Sequence, residues 1–426
     1  MTVDHHLNGG ANASIHPFTL SDEQVIPLSS DPVYVERDLD DAAIRDIAPR
    51  VPMPILRPEV TRRNTERFAA SFPGEVMYAV KCNPDPIFLR AMYNGGVRRF
   101  DVASIAEIRL ISGLFPDAKC YYMHPIKTPE AIREAYVNYG VRAYVLDHPG
   151  ELEKILQVTN NAPDLELYVR IAVPKGNVAT DFSTKFGAKP DIAADLVREC
   201  RKHAARLGIS FHVGTQCTDV EVYSKAVDYT AKVIRDSGVD VESLDRGGGF
   251  PASLDPKNPP PAIEVYCTVI KDALLRNRLE SKEILCEAGR GLVASGGSLV
   301  VRVEGRKDDL LYINDGTYGG MFEAGGNVGL AYPVHIIRRE DLPSGAELTA
   351  FRFAGPTCDS VDMMKGPFML PADIKAGDWI RIDQLGAYGE VSRTDFNGFG
   401  AVQKMVVTDP GAQAAMNSSV QEAISV

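Results

Sequence analysis

Short apolar runs alternate with helical patterns from about residue 55 to about residue 290. VMYAV (76–80) reads as a strand, and DPIFLRAMYNGG (85–96) as a helix closed by glycine. RRFDVAS, KCYYMHP, AYVLD, ELYVRIAV, ISFHVG, VESLDRGGGF and EILCEAGR continue the strand series, and IAEIRLISGLF, TPEAIREAYVNYG and PGELEKILQVT supply helices between them. Each strand ends in polar or glycine residues. Repeated strand–helix units predict a parallel sheet, and about eight of them predict an α/β fold closed into a (β/α)8 TIM-like barrel. After Arg290 the period changes. GSLVVRVEGRKDDLLYIND, AYPVHIIRRED, LTAFRFAGP and GDWIRIDQLGAY alternate apolar and polar residues between turns, which predicts a mostly β C-terminal domain. VYVER (33–37) is a further strand expected to pack on that domain. The expected division is 1–50 leader and strand, 51–290 barrel, 291–408 β domain and 409–426 a loosely held tail.

Length and composition narrow the class. At 426 residues the chain exceeds one ordinary core, and its 45% hydrophobic and 24% charged content is that of a globular protein. No run of roughly 18 apolar residues predicts a membrane span. MTVDHHLNGGANASIHPF lacks the regions of a secretory signal and reads as a flexible leader. A net charge of −11 argues against nucleic acid as the main partner, yet leaves room for a small anionic cofactor held locally. The seven cysteines are scattered and never spaced as CxxC, so reduced cytoplasmic thiols are expected, with no disulfide framework and no metal site.

The strand ends carry the chemistry. In order they are Lys81; Asp101 with Ser104 and Glu107; His124 and Lys127; Asp147; Arg170; His212; Gly247, Gly248 and Gly249; Glu287 and Arg290. A barrel gathers such residues at one face. Each has a plain reading too. Lys81 either snorkels or is a Schiff-base lysine with its pKa depressed by desolvation. His212 is either a core histidine or a site imidazole. DRGGGFP is either a tight turn or a backbone cradle for an anion. CEAGRG is either a loop salt bridge or a paired carboxylate and guanidinium. The ordered set favours the joint reading over the separate ones. In the second domain NDGTYGG, GPTCDSVD and GAYGEVSRTDFNGFG read as turns, and Cys358 beside Asp359 is either a small apolar residue or an acid group.

YAVKCN, FDVAS, HVGTQC, GGGFP, AGR, NDGTYG, GPTCDS and GDW…GAY…FNGF occur in order from about residue 54 to 403. In this the chain resembles the fold-type III (alanine-racemase-like) pyridoxal-phosphate-dependent decarboxylases of basic amino acids, the ornithine, lysine and diaminopimelate decarboxylase group. GGGFP, GPTCD and FNGF look more like its ornithine branch. The resemblance implies that Lys81 carries pyridoxal 5'-phosphate covalently. It implies that Asp101 and Arg170, with Glu107, line the site and that His212 stacks on the pyridine. Thr215, Gly247, Gly248, Gly249, Gly289, Arg290 and Tyr388 would hold the cofactor, largely at its phosphate. Glu287 would face the pyridine nitrogen, where a carboxylate favours the protonated electron sink. Cys358 would return a proton to the α-carbon and Asp359 would bind a distal ammonium, both reaching a neighbouring subunit's site in a homodimer. Tyr318, Glu323, Asn327 and Phe396 would complete the substrate end. The implied reaction is decarboxylation of L-ornithine to putrescine, with L-lysine or another diamino acid as the alternative. A racemase and an inactive regulatory homologue are disfavoured by the Cys358–Asp359 block and by the retained Lys81.

Three departures from the family pattern stand out. Ala288 replaces the usual proline of EPGR and leaves both functional side chains. MHPIKTP (123–129) differs from the family's block but keeps Pro125 and Lys127. Asn327 stands where eukaryotic ornithine decarboxylases carry an aspartate for the distal amine, so Glu323 is an expected substitute there, or Asp359 alone suffices.

Overall fold

The computed structural model describes residues 31–173, 185–326, 328–340 and 345–408; the expected leader and tail fall largely outside them. Among the described residues eight parallel strands close into a barrel: β1 (Glu75–Ala79), β2 (Arg99–Val102), β3 (Lys119–Tyr122), β4 (Ala143–Leu146), β5 (Glu166–Arg170), β6 (Arg206–Ser210), β7 (Ser243–Asp245) and β8 (Glu283–Ala288). β8 pairs with both β7 and β1, which completes the circle. The barrel interior is plugged by Met77, Tyr121, Ala143, Val145, Tyr168 and Leu285. Gly208 on β6 is required beneath that plug, because a Cβ there would lie 2.4 Å from the Tyr168 ring. Arg99 donates to the Tyr121 hydroxyl at 2.6 Å and to Glu283 at 2.7 Å. A filled interior leaves the carboxyl ends of the strands as the place for a site.

The outer helices begin where their sequences say they should. Pro58, Pro86, Pro129, Pro149 and Pro190 each occupy a first turn, where a missing N–H costs nothing. Asp85 and Thr128 accept hydrogen bonds from first-turn N–H groups. Ser104 accepts from Glu107 N–H at 3.3 Å, while the Glu107 carboxylate accepts from Ala103 N–H at 2.7 Å. Glu107, expected to line the site, is thus engaged by the backbone just ahead of the helix it opens, in the manner of a capping box.

Among the described residues the second domain is a nine-stranded sheet. Its main path runs Val33–Val35, Met405–Val407, Met53–Leu56, Gly297–Lys307, Leu310–Ile313, Leu348–Ala354, Met363–Pro371; Trp379–Asp383 pairs with Gly297–Lys307 and with Val334–Ile337. The long strand Gly297–Lys307 alternates its faces. Leu299, Val301 and Val303 enter one cluster with Phe351, Phe353 and Phe368, while Val300 enters another with Met53, Ile55 and Trp379. Met53–Leu56 corrects the boundary set at residue 51. It pairs with Gly297–Lys307 and Met405–Val407, not with the barrel. A short apolar run carries no mark of which sheet it joins when its partners are far away in sequence.

Hydrogen bonds stitch the two domains together behind the barrel mouth. The Asn83 amide donates to Gly386 O at 2.7 Å, and Tyr388 N–H donates to Cys82 O at 2.9 Å. No helix among the described residues is long and apolar enough to cross a membrane.

Candidate active site

A cavity of about 400 Å³ opens at the carboxyl ends of the barrel strands, between them and the second domain. Lys81, Arg170, His212, Thr215, Gly248, Gly249, Glu287, Gly289, Arg290, Glu323 and Tyr388 line it. Lys81 sits on the turn Val80–Cys82 that follows β1 and ion-pairs with buried Asp101 on the neighbouring strand. Burial opposes its charge, but Asp101 and Glu287 outweigh that and hold the ammonium above its ordinary value. The depressed amine expected from desolvation alone is therefore reversed while the lysine is free, because a carboxylate stands against it.

His212 follows β6. Its Nδ1 accepts from Gly214 N–H at 3.0 Å, which places the ring proton on Nε2. Burial first, then the nearby Arg170 and Lys81, keep the imidazole well below its ordinary pKa and so neutral. Glu287 ends β8. Burial, reinforced by Asp101 and Asp245, pushes its carboxyl well above the usual range. Asp245 was not anticipated. It is fully buried at the end of β7, accepts from Gly247 N–H at 3.0 Å, and is pushed by burial up to about 6. An aspartate just ahead of three glycines reads as turn chemistry, and only the adjacency of β7 and β8 brings it beside Glu287.

The residues present fit a phosphate. Gly247 and Gly249 have φ of +62° and +97°, and a Cβ on either would come within 2.1 Å of Phe211 O or 2.4 Å of Gly214 O. Only glycine satisfies both the conformation and the space. Arg290 is buried, with its Cζ 5.0 Å from the Tyr388 ring centroid. Its Nη2 donates to Glu323 at 2.7 and 2.9 Å and to Thr215 Oγ1 at 3.4 Å, while Nε and Nη1 have no partner among the described residues. Buried donors without acceptors beside such glycines suit an anionic group, and none of the described residues supplies one to Nε and Nη1.

Glu323 requires a correction. It is not free for a distal amine: its carboxylate is buried on Arg290 and also accepts from the Tyr332 hydroxyl at 3.2 Å. The turn Phe322–Ala324 that carries it packs against the phosphate side of the cavity, a proximity invisible in the sequence. Asn327 lies outside the described residues. Lys127 and Asp147 are structural. Lys127 is buried on Glu151 at 3.0 Å and Val145 O at 2.6 Å, and Asp147 accepts from Gly187 N–H at 2.8 Å.

The remaining expected residues form a second cluster in the β domain, apart from the cavity lining. The Tyr318 hydroxyl donates to Asp359 at 2.5 Å, and the Tyr318 and Phe396 rings lie 4.8 Å apart. Cys358 N–H donates to the Asn397 side chain at 3.1 Å. Cys358 is exposed; the other six cysteines are buried and all seven are free thiols. The expected site residues thus fall into two separate clusters, one in the barrel mouth and one on the β domain.

A family model described as "Pyridoxal-dependent decarboxylase, pyridoxal binding domain" matches residues 59–294. The chain belongs to this family of decarboxylases. It is similar to the lysine/ornithine decarboxylase of Selenomonas ruminantium, 30% identical over 393 residues, covering 88% of this chain and 95% of that protein. The ornithine decarboxylase of Caenorhabditis elegans is 32% identical over 361 residues, covering 78% and 81%. The crystal structure of the Paramecium bursaria Chlorella virus arginine decarboxylase superposes with a TM-score of 0.75 at 27% identity, covering 86% of this chain and all of that one. This decarboxylase is therefore a carboxy-lyase of the basic amino-acid group, its cofactor is pyridoxal 5'-phosphate, and its barrel and sheet are the fold-type III arrangement.

Proposed function

We propose that the enzyme decarboxylates L-ornithine to putrescine and CO2, working as a cytoplasmic homodimer. The observation that carries this reading is the separation of the two clusters. The barrel mouth gathers Lys81, the buried Arg290 and the glycines, while the exposed Cys358 and the half-buried Asp359 stand apart, beside the exposed apolar side chains Val361, Phe396 and Phe399. A second copy of the chain would cover that patch and bring its Cys358 and Asp359 over the first copy's cavity. Seven free thiols fit a reducing compartment.

Lys81 would hold the cofactor covalently, with Asp101 orienting its amine. Arg290 Nε and Nη1, Thr215, Tyr388 and the backbone of Gly247, Gly248 and Gly249 would bind the phosphate. Neutral His212 would pack flat on the ring. Glu287, backed by Asp245, would keep a proton at the ring nitrogen. Bound there, pyridoxal phosphate supplies the sink for the electron pair left when CO2 departs. The partner's thiol would then deliver a proton to the α-carbon. Asp359, exchanging the Tyr318 hydroxyl for a substrate ammonium, would fix the distal end through a charge-assisted hydrogen bond. Within one protomer the cavity-lining carboxylates Glu287 and Glu323 are already committed, which leaves the distal ammonium to Asp359.

L-lysine is the second reading, supported by the relative named lysine/ornithine decarboxylase. CO2 release over ornithine, lysine, arginine, diaminopimelate and carboxynorspermidine separates them. Ornithine is expected to give the highest kcat/KM, and a higher value for another substrate would overturn the ornithine assignment.

A further inference from the structure

Resting on that reading of Cys358 and Asp359, we propose that Asp362 is the positioning residue that sets the loop carrying them. The loops NDGTYGG and GPTCDSVD meet on this single carboxylate. Asp362 is 2% exposed. Oδ1 accepts from Thr317 N–H at 2.7 Å and Thr317 Oγ1 at 3.0 Å, and Oδ2 accepts from Thr357 N–H at 3.1 Å and Thr357 Oγ1 at 2.8 Å. Two threonines therefore fill the capacity of the carboxylate with matched pairs of donors.

The space for it is cut by glycine. A Cβ on Gly316 would lie 2.1 Å from Oδ1, and one on Gly355 would lie 2.2 Å from both oxygens. The backbone closes the same loop, with Gly355 N–H donating to Asp362 O at 2.9 Å and Asp362 N–H to Asp359 O at 3.1 Å. Cys358 and Asp359 are the residues thrown outward between the two anchored ends, Thr357 and Asp362. Tyr318, next to Thr317, completes the set by donating to Asp359. Asp362 thus fixes the relative placement of three side chains without bonding to any of them.

A second buried carboxylate carries the frame onward. Asp315 accepts from Gly320 N–H at 3.2 Å and from Arg393 Nη2 at 2.7 Å, and Thr394 N–H donates to Tyr318 O at 2.8 Å. The segment bearing Phe396 is held by this neighbouring clamp and meets the loop at one hydrogen bond, Cys358 N–H to Asn397, whereas both ends of the Cys358–Asp359 loop are anchored on Asp362. The spacing of N-D-G-T-Y against G-P-T-C-D-S-V-D acquires a reason: each glycine and each threonine serves the last aspartate.

The test uses the holoenzyme of Asp362→Asn. The amide keeps the shape but turns one acceptor into a donor; the threonine hydroxyl there can rotate to accept, but the backbone N–H of that threonine loses its acceptor and must move away. Expected are cofactor content and pyridoxal phosphate affinity equal to the parent, and kcat lower by roughly 10–100-fold, the cost of a misplaced reacting group. The share of abortive turnovers should rise. In these CO2 leaves as usual, but the proton goes to the cofactor's C4' instead of the α-carbon. Hydrolysis then yields the aminoaldehyde, and the nitrogen stays on pyridoxamine phosphate. Thr357→Ser, which keeps both donors, should preserve the parent partition, and Thr357→Val should fall between; the pair serves if Asp362→Asn does not fold. Parent-like kcat and partition in Asp362→Asn and Thr357→Val would overturn the proposal, as would loss of cofactor in step with activity. A Cys358→Ala control separates the two levels. If it shifts the partition and Asp362→Asn does not, positioning by Asp362 fails alone; if it shifts nothing, the role of Cys358 and the proposal fall together.

Discussion

Replacing Arg246 with methionine should make the enzyme more stable. Arg246 follows β7 in DRGGGF and is 0% exposed. Its Nε, Nη1 and Nη2 have no hydrogen-bond partner among the described residues. What it gains is the face of Phe72, 4.3 Å from its Cζ, a contact worth about 2 kcal/mol or somewhat more when desolvated. What it loses is the hydration of a whole guanidinium, a penalty of several kcal/mol that burial registers by depressing its pKa. Its other neighbours are the thiols of Cys286 and Cys267 and the ring of Tyr223, which solvate a thioether better than a cation, and the adjacent Asp245, whose carboxyl attracts the guanidinium but makes no hydrogen bond to it. Exchanging a buried unpaired ion for an apolar side chain of similar length should therefore gain about 1–4 kcal/mol. For a unit the size of the barrel that is about 2–4 °C in melting midpoint per kcal/mol. Calorimetry of holoenzyme at one fixed excess of pyridoxal phosphate reads it. Arg246→Lys, which keeps the charge and loses the planar stack, should melt below the parent. A midpoint for Arg246→Met below that of the parent would refute the reasoning, since it would mean the guanidinium has found compensation.

Three further outcomes are expected. Arg290→Ala removes the two unpartnered nitrogens at the phosphate cradle and should weaken pyridoxal phosphate binding by roughly 10–100-fold, read by fluorescence titration; an unchanged Kd would remove Arg290 from the cradle. Cys358→Ala should retain cofactor while turnover slows and the aldehyde share rises, measured by product chromatography, and an unaltered product ratio would count against the thiol as proton donor. His212 is held neutral in the folded protein and protonates with a pKa of about 6.5 once unfolded. Its contribution to stability is complete above that value and is lost as pH falls towards the depressed folded pKa, because the unfolded state then binds the extra proton. His212→Asn should flatten the acid limb of the stability profile below about pH 6.5, and an identical limb in the variant would contradict a neutral buried imidazole.

Much of the site could be read from strand ends because a parallel barrel converts chain order into convergence. Lys81, Asp101, Arg170, His212, Glu287 and Arg290 are scattered in sequence, yet each follows or ends a strand, and eight registers place them around one mouth. What escaped the sequence needed a neighbour to interpret it. Glu323 looked free until the Phe322–Ala324 turn proved to sit on Arg290. Glu107 looked like a lining residue by position, whereas the helix it begins claims its carboxylate. Asp245 looked like a turn residue because its partner, Glu287, belongs to the next strand. Met53–Leu56 looked like the first stretch of barrel because four apolar residues are the same four in either sheet.

Consider how the strand Met53–Leu56 meets its partners during synthesis. It leaves the ribosome early, but it pairs with Gly297–Lys307 and Met405–Val407, and every strand of the barrel is made in between. Two bare strand edges must wait through the whole assembly of the barrel, and such edges recruit other chains. The turn that carries Lys81 waits as well, since the Gly386 and Tyr388 contacts that secure it come from the last part of the described chain. A nascent barrel can close long before its mouth is finished. Translational pauses after β8, or truncations that remove Met405–Val407, should therefore yield aggregation through an unclosed sheet rather than a smaller working enzyme.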